Sequence, residues 1–553
     1  MSPVSAGRSA TGQDVPPEVD VVIVGAGPVG LMLAGELRLA GVRPLVLERQ
    51  AQLREIPKAN GLGGQILELL RYRGLLEKFE EACTAPSHPA PRYPFGEVHV
   101  DFSPLPEPPL RGLTLPQPEL ERLLDERARE LGAVVRRGHE VVDLTQDGTT
   151  VTAEVNGPDG RYQVTSRYLV GCDGGRSRIR ELAGIAFVGA TYPEVNRLGQ
   201  ITLPDSLAGP GAGEALDLPG RGTIKAGFTR TERGVFGYGA LTPEVLLVST
   251  TENEDAETDD NVPMTLAEFQ DSVRRVLGVE LPLKETIRLS RYHFQARQAE
   301  RYRSGRILLA GDAAHLFPAT GVGLNTGMLD AVNLAWKLAA DINAWAPPGL
   351  VDTYHGERQM AGMRTMLHTQ AQVALRRGQD AAADALRTLF LELFADEQPL
   401  RRIGGLLAGT DIRYPLHVYD HHALTGTFVP DFTLQTEHGT TTSVAELMQT
   451  AQPILLDLAD RPELREAARE WDARVIIQTA KTRDRPADAL LIRPDAHIAW
   501  TAAIDEPTNT AVLALRKALT TWFGTPRGAR TEAPVSEAPQ SKASTYGESD
   551  VTL

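Results

Sequence analysis

Three glycines and one acid near the start of the chain have the spacing to hold a nucleotide. Val21-Val22-Ile23-Val24 runs into Gly25-Ala26-Gly27-Pro28-Val29-Gly30, and Glu48 closes a second apolar run, Val42-Arg43-Pro44-Leu45-Val46-Leu47. Gly25 permits a tight turn, Gly27 lets the backbone approach a pyrophosphate, and Gly30 lets helix and strand pack closely. The helix that opens at Pro28 offers unpaired N–H groups and the positive end of its dipole to phosphates. Glu48 stands about 20 residues past the turn, where an acid accepts hydrogen bonds from an adenosine ribose. The alternative is a purely structural glycine turn. Strand, turn, apolar helix and terminal acid all agree on dinucleotide binding.

Two further constellations carry polar groups on strand ends. Tyr168-Leu169-Val170-Gly171-Cys172-Asp173-Gly174-Gly175-Arg176-Ser177-Arg178-Ile179-Arg180 reads as strand, turn and helix start. The turn and helix start carry four polar anchors close together; the alternative makes Asp173 a turn former or N-cap and the arginines solvated charges. Gly311-Asp312-Ala313-Ala314-His315 is followed by Leu316-Phe317-Pro318-Ala319-Thr320-Gly321-Val322-Gly323-Leu324-Asn325. Asp312 closes a buried strand, where it can accept from a ribityl hydroxyl. Gly321, Gly323, Leu324 and Asn325 expose backbone N–H groups at a helix start, which can stabilise a negatively charged isoalloxazine edge. His315 could serve as a base, but a histidine after a strand is more often a structural, hydrogen-bonded residue. No Ser-His-Asp or Cys-His set and no metal-ligand spacing stands out, so the expectation is no metal.

The elements that must position these groups point to the α/β class. Residues 60–79 carry apolar positions at helical spacing, and 84–110 are rich in proline, which predicts irregular chain or edge strand. A helix is predicted over 119–131, with strands over 134–137, 140–146, 150–155 and 168–171. From about 190 to 285, short segments with glycine, proline and aromatics alternate, with one helix over 265–276, predicting a sheet-rich layer. A long helical region starts near Thr326, in which Trp336 and Leu338 pack as core. Residues 415–525 form a further unit with strands over 453–458 and 474–478. The tail over 526–553, rich in Pro, Ser, Glu and Thr, is predicted disordered.

Composition narrows the partners. The 553 residues carry a net charge of −15, which opposes binding to DNA phosphates and anionic lipid heads. Cys83 and Cys172 are the only cysteines, which suits a reducing cytoplasm. The polar segment 1–17 lacks the apolar core of a signal peptide, and no stretch approaches the roughly 18–20 apolar residues of a membrane span.

Taken in order and separation, the three motifs resemble the class A flavin monooxygenases of the para-hydroxybenzoate hydroxylase fold: the GxGxxG for ADP, Cys172-Asp173-Gly174-Gly175-Arg176-Ser177 as the DG motif, and Gly311-Asp312 as the GD motif. Lys58-Ala59-Asn60, Leu115-Pro116-Gln117-Pro118-Glu119-Leu120-Glu121 and Asn325-Thr326-Gly327 through Lys337 also match. Leu455–Asp460 and Ile492–Trp500 resemble the thioredoxin-like appendage of the aromatic polyketide hydroxylases, which include angucycline and tetracenomycin oxygenases. The resemblance covers residues 18–525.

It implies a discontinuous FAD-binding domain (18–190 and 285–400), a substrate layer (191–284, with part of 84–112) and a thioredoxin-like domain (415–525). That last unit has no Cys pair, which excludes a redox role and leaves packing or assembly. FAD would be held by Gly25, Gly27, Pro28, Gly30, Glu48, Arg49, Gln117, Asp173, Arg176, Gly311, Asp312, Pro318 and the Gly321–Asn325 segment, with Asp173 and Arg176 in a motif that also serves NADPH. Relatives usually read Gly-Gly-Gln-Gly-Met-Asn where this chain has Thr320-Gly321-Val322-Gly323-Leu324-Asn325, a change that reshapes the pocket beside the flavin.

The implied reaction is reduction of FAD by NADPH, addition of O2 as a C4a-hydroperoxide, and attack by a deprotonated phenol. The substrate would be a polycyclic aromatic polyketide, tetracenomycin-type first and angucycline-type second, in antibiotic biosynthesis. Tyr192, Phe228, Phe236 and Tyr238 are the expected roof, although each aromatic is also a candidate for plain core. Arg54 is expected at the flavin face, steering flavin or NADPH, or else is a loop arginine. A Baeyer–Villiger oxygenase, an antibiotic-inactivating hydroxylase and a flavin-binding partner protein without turnover remain the alternatives, and the chain would act as monomer or homodimer.

Overall fold

The computed structural model describes residues 18–526 except 56–58, 84–87, 205–214, 241–244, 254–261, 319–320, 379 and 417–421. Expectations about Lys58, Thr320, the segment 1–17 and the tail from 527 onward therefore lie outside the described residues.

Apolar runs buried on both faces make a mainly parallel sheet. Its strands lie in the order Arg303–Ser304, Ile307–Leu309, Tyr168–Gly171, Val21–Val24, Pro44–Glu48 and Val134–Arg137, and only the first pairing is antiparallel. Helix Pro28–Leu39 starts with proline in its first turn, where the missing N–H is no loss. It packs against helix Val322–Ile342 on the sheet, and together they hold the largest core. Val322–Ile342 begins one turn earlier than the sequence suggested, and Trp336 and Leu338 are core. The 60–79 stretch is two helices, Gln65–Tyr72 and Leu76–Glu81, parted by Gly74 at φ 64°. Residues 140–166 form a three-stranded antiparallel sheet, Glu140–Gln146, Val151–Gly157 and Gly160–Ser166.

Two long strands, Phe187–Thr202 and Glu285–Ala299, carry the chain out of this unit and back. They centre a second six-stranded sheet ordered Gly227–Thr231, Gly234–Ala240, Leu246–Asn253, Phe187–Thr202, Glu285–Ala299 and His315–Leu316, antiparallel throughout. Helix Leu266–Leu277 covers one face; Thr265 caps it by accepting from Glu268 N, and Gly278 closes it in the left-handed conformation. That leaves the opposite face toward the parallel sheet.

The C-terminal unit has a mixed sheet ordered Thr441–Ser443, Thr433–Thr436, Ile476–Lys481, Ile454–Asp457, Ala489–Ile492 and Ile498–Ala502, with helices Pro462–Ala468 and Thr508–Phe523. Its core includes Trp336, Ala340 and Leu350 of the first unit alongside Trp471, Trp500 and Phe523. Beside that apolar seam lies a buried ionic one. Arg493 donates both Nη1 and Nη2 to Glu357 at 2.7 Å and pairs with Asp495. Lys337 Nζ donates to Glu357 at 2.8 Å, and Asn333 Nδ2 bridges Glu357 and Asp495. Burial, against the pull of Glu357, brings the Lys337 ammonium down to about 8.

Candidate active site

A cavity of about 1010 Å³ opens at the carboxyl ends of the parallel strands, where Leu47–Glu48, Val24–Gly25, Cys172–Asp173 and Ala310 reach its wall. Ligands of open α/β sheets bind in this crevice. The volume stands at the upper end of the roughly 300–1,000 Å³ of ordinary ligand pockets, which suits a large ligand. No helix among the described residues is long and apolar enough to cross a membrane.

The glycines divide as the motif requires. A Cβ on Gly30 would lie 2.0 Å from the Gly25 carbonyl oxygen, and one on Gly25, at φ 108°, 2.4 Å from that of Cys172. Both positions are closed by the protein's own backbone. Gly27 is different: a Cβ there meets nothing within 4 Å. It lies on the cavity wall beside a helix start with no capping side chain and no acid in its first turn. Glu48 is fixed beside it, Oε2 accepting from Ala26 N at 2.8 Å and Oε1 from Gln50 N at 2.9 Å. A pyrophosphate can approach Gly27 and a ribose can reach Glu48.

Across the cleft, helix Val322–Ile342 presents a second open N-terminus. Gly321 sits at φ 71° with open space around it, and no acid occupies the first turn. Gly321, Gly323 and Leu324 reach the wall; Asn325 instead accepts from Gly63 N at 3.4 Å, and Pro318 is buried. Asp312 projects to the cavity from the turn Gly311–Ala313. That turn is anchored by Asp330, a residue the sequence reading passed over as part of a matching stretch. Its Oδ2 accepts from Gly311 N at 3.0 Å and faces His315 Nε2 at 2.8 Å, while Oδ1 accepts from Arg358 Nε at 2.7 Å. Burial pushes the Asp330 carboxyl up, but Arg358 and His315 outweigh it and hold it below the ordinary range. His315 is wholly buried and stacks on Phe317 with ring centroids 4.6 Å apart. It lies off the cavity wall, so its part is structural.

Asp173 takes the turn-forming role considered for it and stands on the cavity wall. It accepts from Ser177 Oγ at 2.6 Å and Ile179 N at 3.1 Å. Burial raises its carboxyl despite those bonds. Arg49 and Arg176 are exposed at the wall. Gln117 lines it too, donating to Glu121 Oε1 at 2.7 Å; burial raises Glu121. Arg54 lies on the wall with Nε 4.0 Å from Glu121 and no hydrogen bond there.

The expected aromatic roof needs correction. Phe228 lines the cavity, but Phe236 and Tyr238 do not. They share one face of strand Gly234–Ala240 and pack with Phe269 and Val273 under the covering helix, Tyr238 donating to Ile224 O at 2.8 Å. Phe228 pairs with Gly237, whose parity is opposite, and so points the other way. Tyr192 is also off the wall, set beside the Arg377 guanidinium at 5.5 Å. The roof is completed by Tyr292 and Phe294, two apart on strand Glu285–Ala299, with Tyr93 and Arg376. Period-2 aromatics on that strand were the available signal.

Residues 18–369 match the family model described as "FAD binding domain", and residues 422–526 match "Aromatic-ring hydroxylase, C-terminal". The chain belongs to the class A FAD-dependent aromatic hydroxylases. The hydroxylase is 40% identical to the 12-dehydrotetracycline 5-monooxygenase/anhydrotetracycline 6-monooxygenase of Streptomyces rimosus over 516 residues, 92% of this chain and 99% of the relative. It superposes with a TM-score of 0.81 on the OxyS anhydrotetracycline hydroxylase from Streptomyces rimosus, at 40% identity, covering 92% of this chain and 100% of that one. A ternary complex of aklavinone-11 hydroxylase with FAD and aklavinone matches with a TM-score of 0.70 and 27% identity, over 91% and 99% of the two chains. The hydroxylase is thus a flavin-dependent monooxygenase, of the aromatic polyketide branch, with FAD as its cofactor.

Proposed function

We propose that the hydroxylase transfers one oxygen atom of O2 to a polycyclic aromatic polyketide, using NADPH, in the assembly of an antibiotic-type product. The observation that carries this reading is the join of two compartments in one cavity. One is the nucleotide cleft at the strand ends; the other is walled by Phe228, Tyr292 and Phe294 on the sheet-rich layer, with Tyr93 from the separate strand pair Arg92–Phe95 and Val98–Asp101. Flat aromatic walls suit a flat polycyclic guest. The tetracycline-type chemistry named for the relatives makes a linear fused-ring phenol the first substrate to try.

Gly25–Gly30 would receive the pyrophosphate of FAD and Glu48 the adenosine ribose, with Arg49 and Gln117 on the rest of the nucleotide. Asp312 would accept from the ribityl chain, and the N–H groups opening helix Val322–Ile342 would face the flavin ring. When bound, FAD supplies electron transfer from NADPH and activation of O2. The chain supplies binding and orientation, an apolar roof that excludes water, and positive potential from the helix start where negative charge gathers. Exposed Arg176 and Arg178 suit the phosphates of NADPH, and Arg54, on the cavity wall, suits control of flavin position. Cys83 and Cys172 are free thiols, consistent with the cytoplasm as the proposed location.

The test is NADPH oxidation by the purified holoenzyme with and without anhydrotetracycline, followed by NMR of the product. Substrate-stimulated oxidation and a hydroxyl on an unbroken carbon skeleton are expected. An oxygen inserted into the skeleton would mean Baeyer–Villiger chemistry instead, and no stimulation by any fused-ring phenol would overturn the reading.

A further inference from the structure

The two ends of the cavity differ in charge. The carboxylates on its wall, Glu48, Glu121, Glu140, Asp173 and Asp312, all belong to the FAD-binding unit. The roof side carries Arg376, Phe228, Tyr292 and Phe294, and among the described residues no carboxylate.

Arg376 sits in the last turn of helix Thr353–Arg377 and is only 8% exposed. Its Nε is buried without a hydrogen-bond partner, yet the side chain reaches the cavity. Its neighbours are rings: the guanidinium lies 4.4 Å from the Phe228 centroid and 5.8 Å from that of Phe294. The carboxylate that acts on it, Glu97, is already held by Arg230 and lies 3.7 Å from Arg387. A buried cation is ordinarily paired with an anion, because desolvation without a partner is costly. Cation–π contact offsets only part of that cost. A guanidinium also presents a planar fork that fits two oxygens on a flat ligand. The missing partner is therefore an anion that enters with the guest.

We propose that Arg376 binds an ionised oxygen of the substrate, so that the preferred guests are fused-ring compounds carrying an enolate or phenolate on the edge lodged between Phe228 and Phe294. This rests on the polyketide reading above and names the chemical class within it.

The probe is anhydrotetracycline, whose ring-borne enol is ionised at neutral pH, against its enol methyl ether. Dissociation constants are read from the perturbation of the flavin spectrum in the holoenzyme. The wild-type protein should favour the ionised compound by about 10- to 100-fold, the strength of a charge-assisted hydrogen-bonded pair. Arg376→Met should erase that preference, Arg376→Lys should keep part of it, and FAD affinity should stay unchanged in both. Equal binding of the two compounds by the wild-type enzyme overturns the proposal without needing any variant. So does a Met variant in which both weaken alike, since that marks Arg376 as packing only. Failure of both compounds to bind would count against the polyketide reading itself.

Discussion

Two regions of this molecule bury charge, and they do so in opposite ways. At the seam between the first unit and the C-terminal unit, Lys337, Glu357, Arg493 and Asp495 are all at most 4% exposed, and each is paired within the protein. In the cavity, the Nε atoms of Arg376 and Arg54 have no hydrogen bond, and two helix starts lack caps. A closed network holds parts together; an open one waits for a guest. The contrast separates residues that stabilise the fold from residues that stabilise what binds to it.

The largest effect expected is at the seam. Glu357→Ala strands Arg493 and Lys337 without their shared anion, and should lower stability by about 3–5 kcal/mol, read by chemical denaturation of the holoenzyme. A loss below 1 kcal/mol would mean the seam is wet and the contrast false. Next is the glycine turn. In Gly27→Ala the added Cβ meets no protein atom within 4 Å, so the apoprotein should unfold at the wild-type temperature while FAD affinity falls by about 100-fold, roughly 3 kcal/mol. Gly30→Val, driven into the Gly25 carbonyl, should lose folding and FAD binding together.

A smaller effect concerns protons. Burial brings the His368 imidazole down to about 4, from an ordinary value near 6.5. Between those values the unfolded chain binds a proton that the folded chain refuses, so stability rises with pH through this window and falls on acidification. Comparing denaturation of wild type and His368→Leu at pH 4 and pH 7 should show that the histidine contributes about 2–3 kcal/mol of the acid-induced loss. Identical pH slopes would contradict the assigned burial. The smallest effect is at Arg54: Arg54→Ala should leave stability within about 0.5 kcal/mol and change the rate of flavin reduction by NADPH. An unchanged rate would make it a loop residue.

The nucleotide end was legible because its chemistry is local. Gly25, Gly27, Gly30 and Glu48 lie within one strand–helix–strand unit, and each has a reason to be its own residue type. The Gly311–Asp312 turn was legible too, but its anchor was not. Asp330 reaches Gly311, His315 and Arg358 only because helix Val322–Ile342 folds back over the turn. The roof was half legible. Parity on a strand is readable, but which parity faces a helix depends on where Leu266–Leu277 packs, and so Phe236 and Tyr238 were drawn to the wrong face. Arg376 carries no local signal at all; it becomes conspicuous only when the cavity brings it beside Phe228.

This cleft lets FAD deliver oxygen from O2 to a bound ring compound. Incubating the FAD-loaded enzyme with anhydrotetracycline, NADPH and dioxygen labelled in both atoms tests it directly by product mass spectrometry. One labelled oxygen atom is expected in each product molecule, with the other in water. Product that carries its new oxygen unlabelled, or conversion that proceeds equally well without dioxygen, would contradict it.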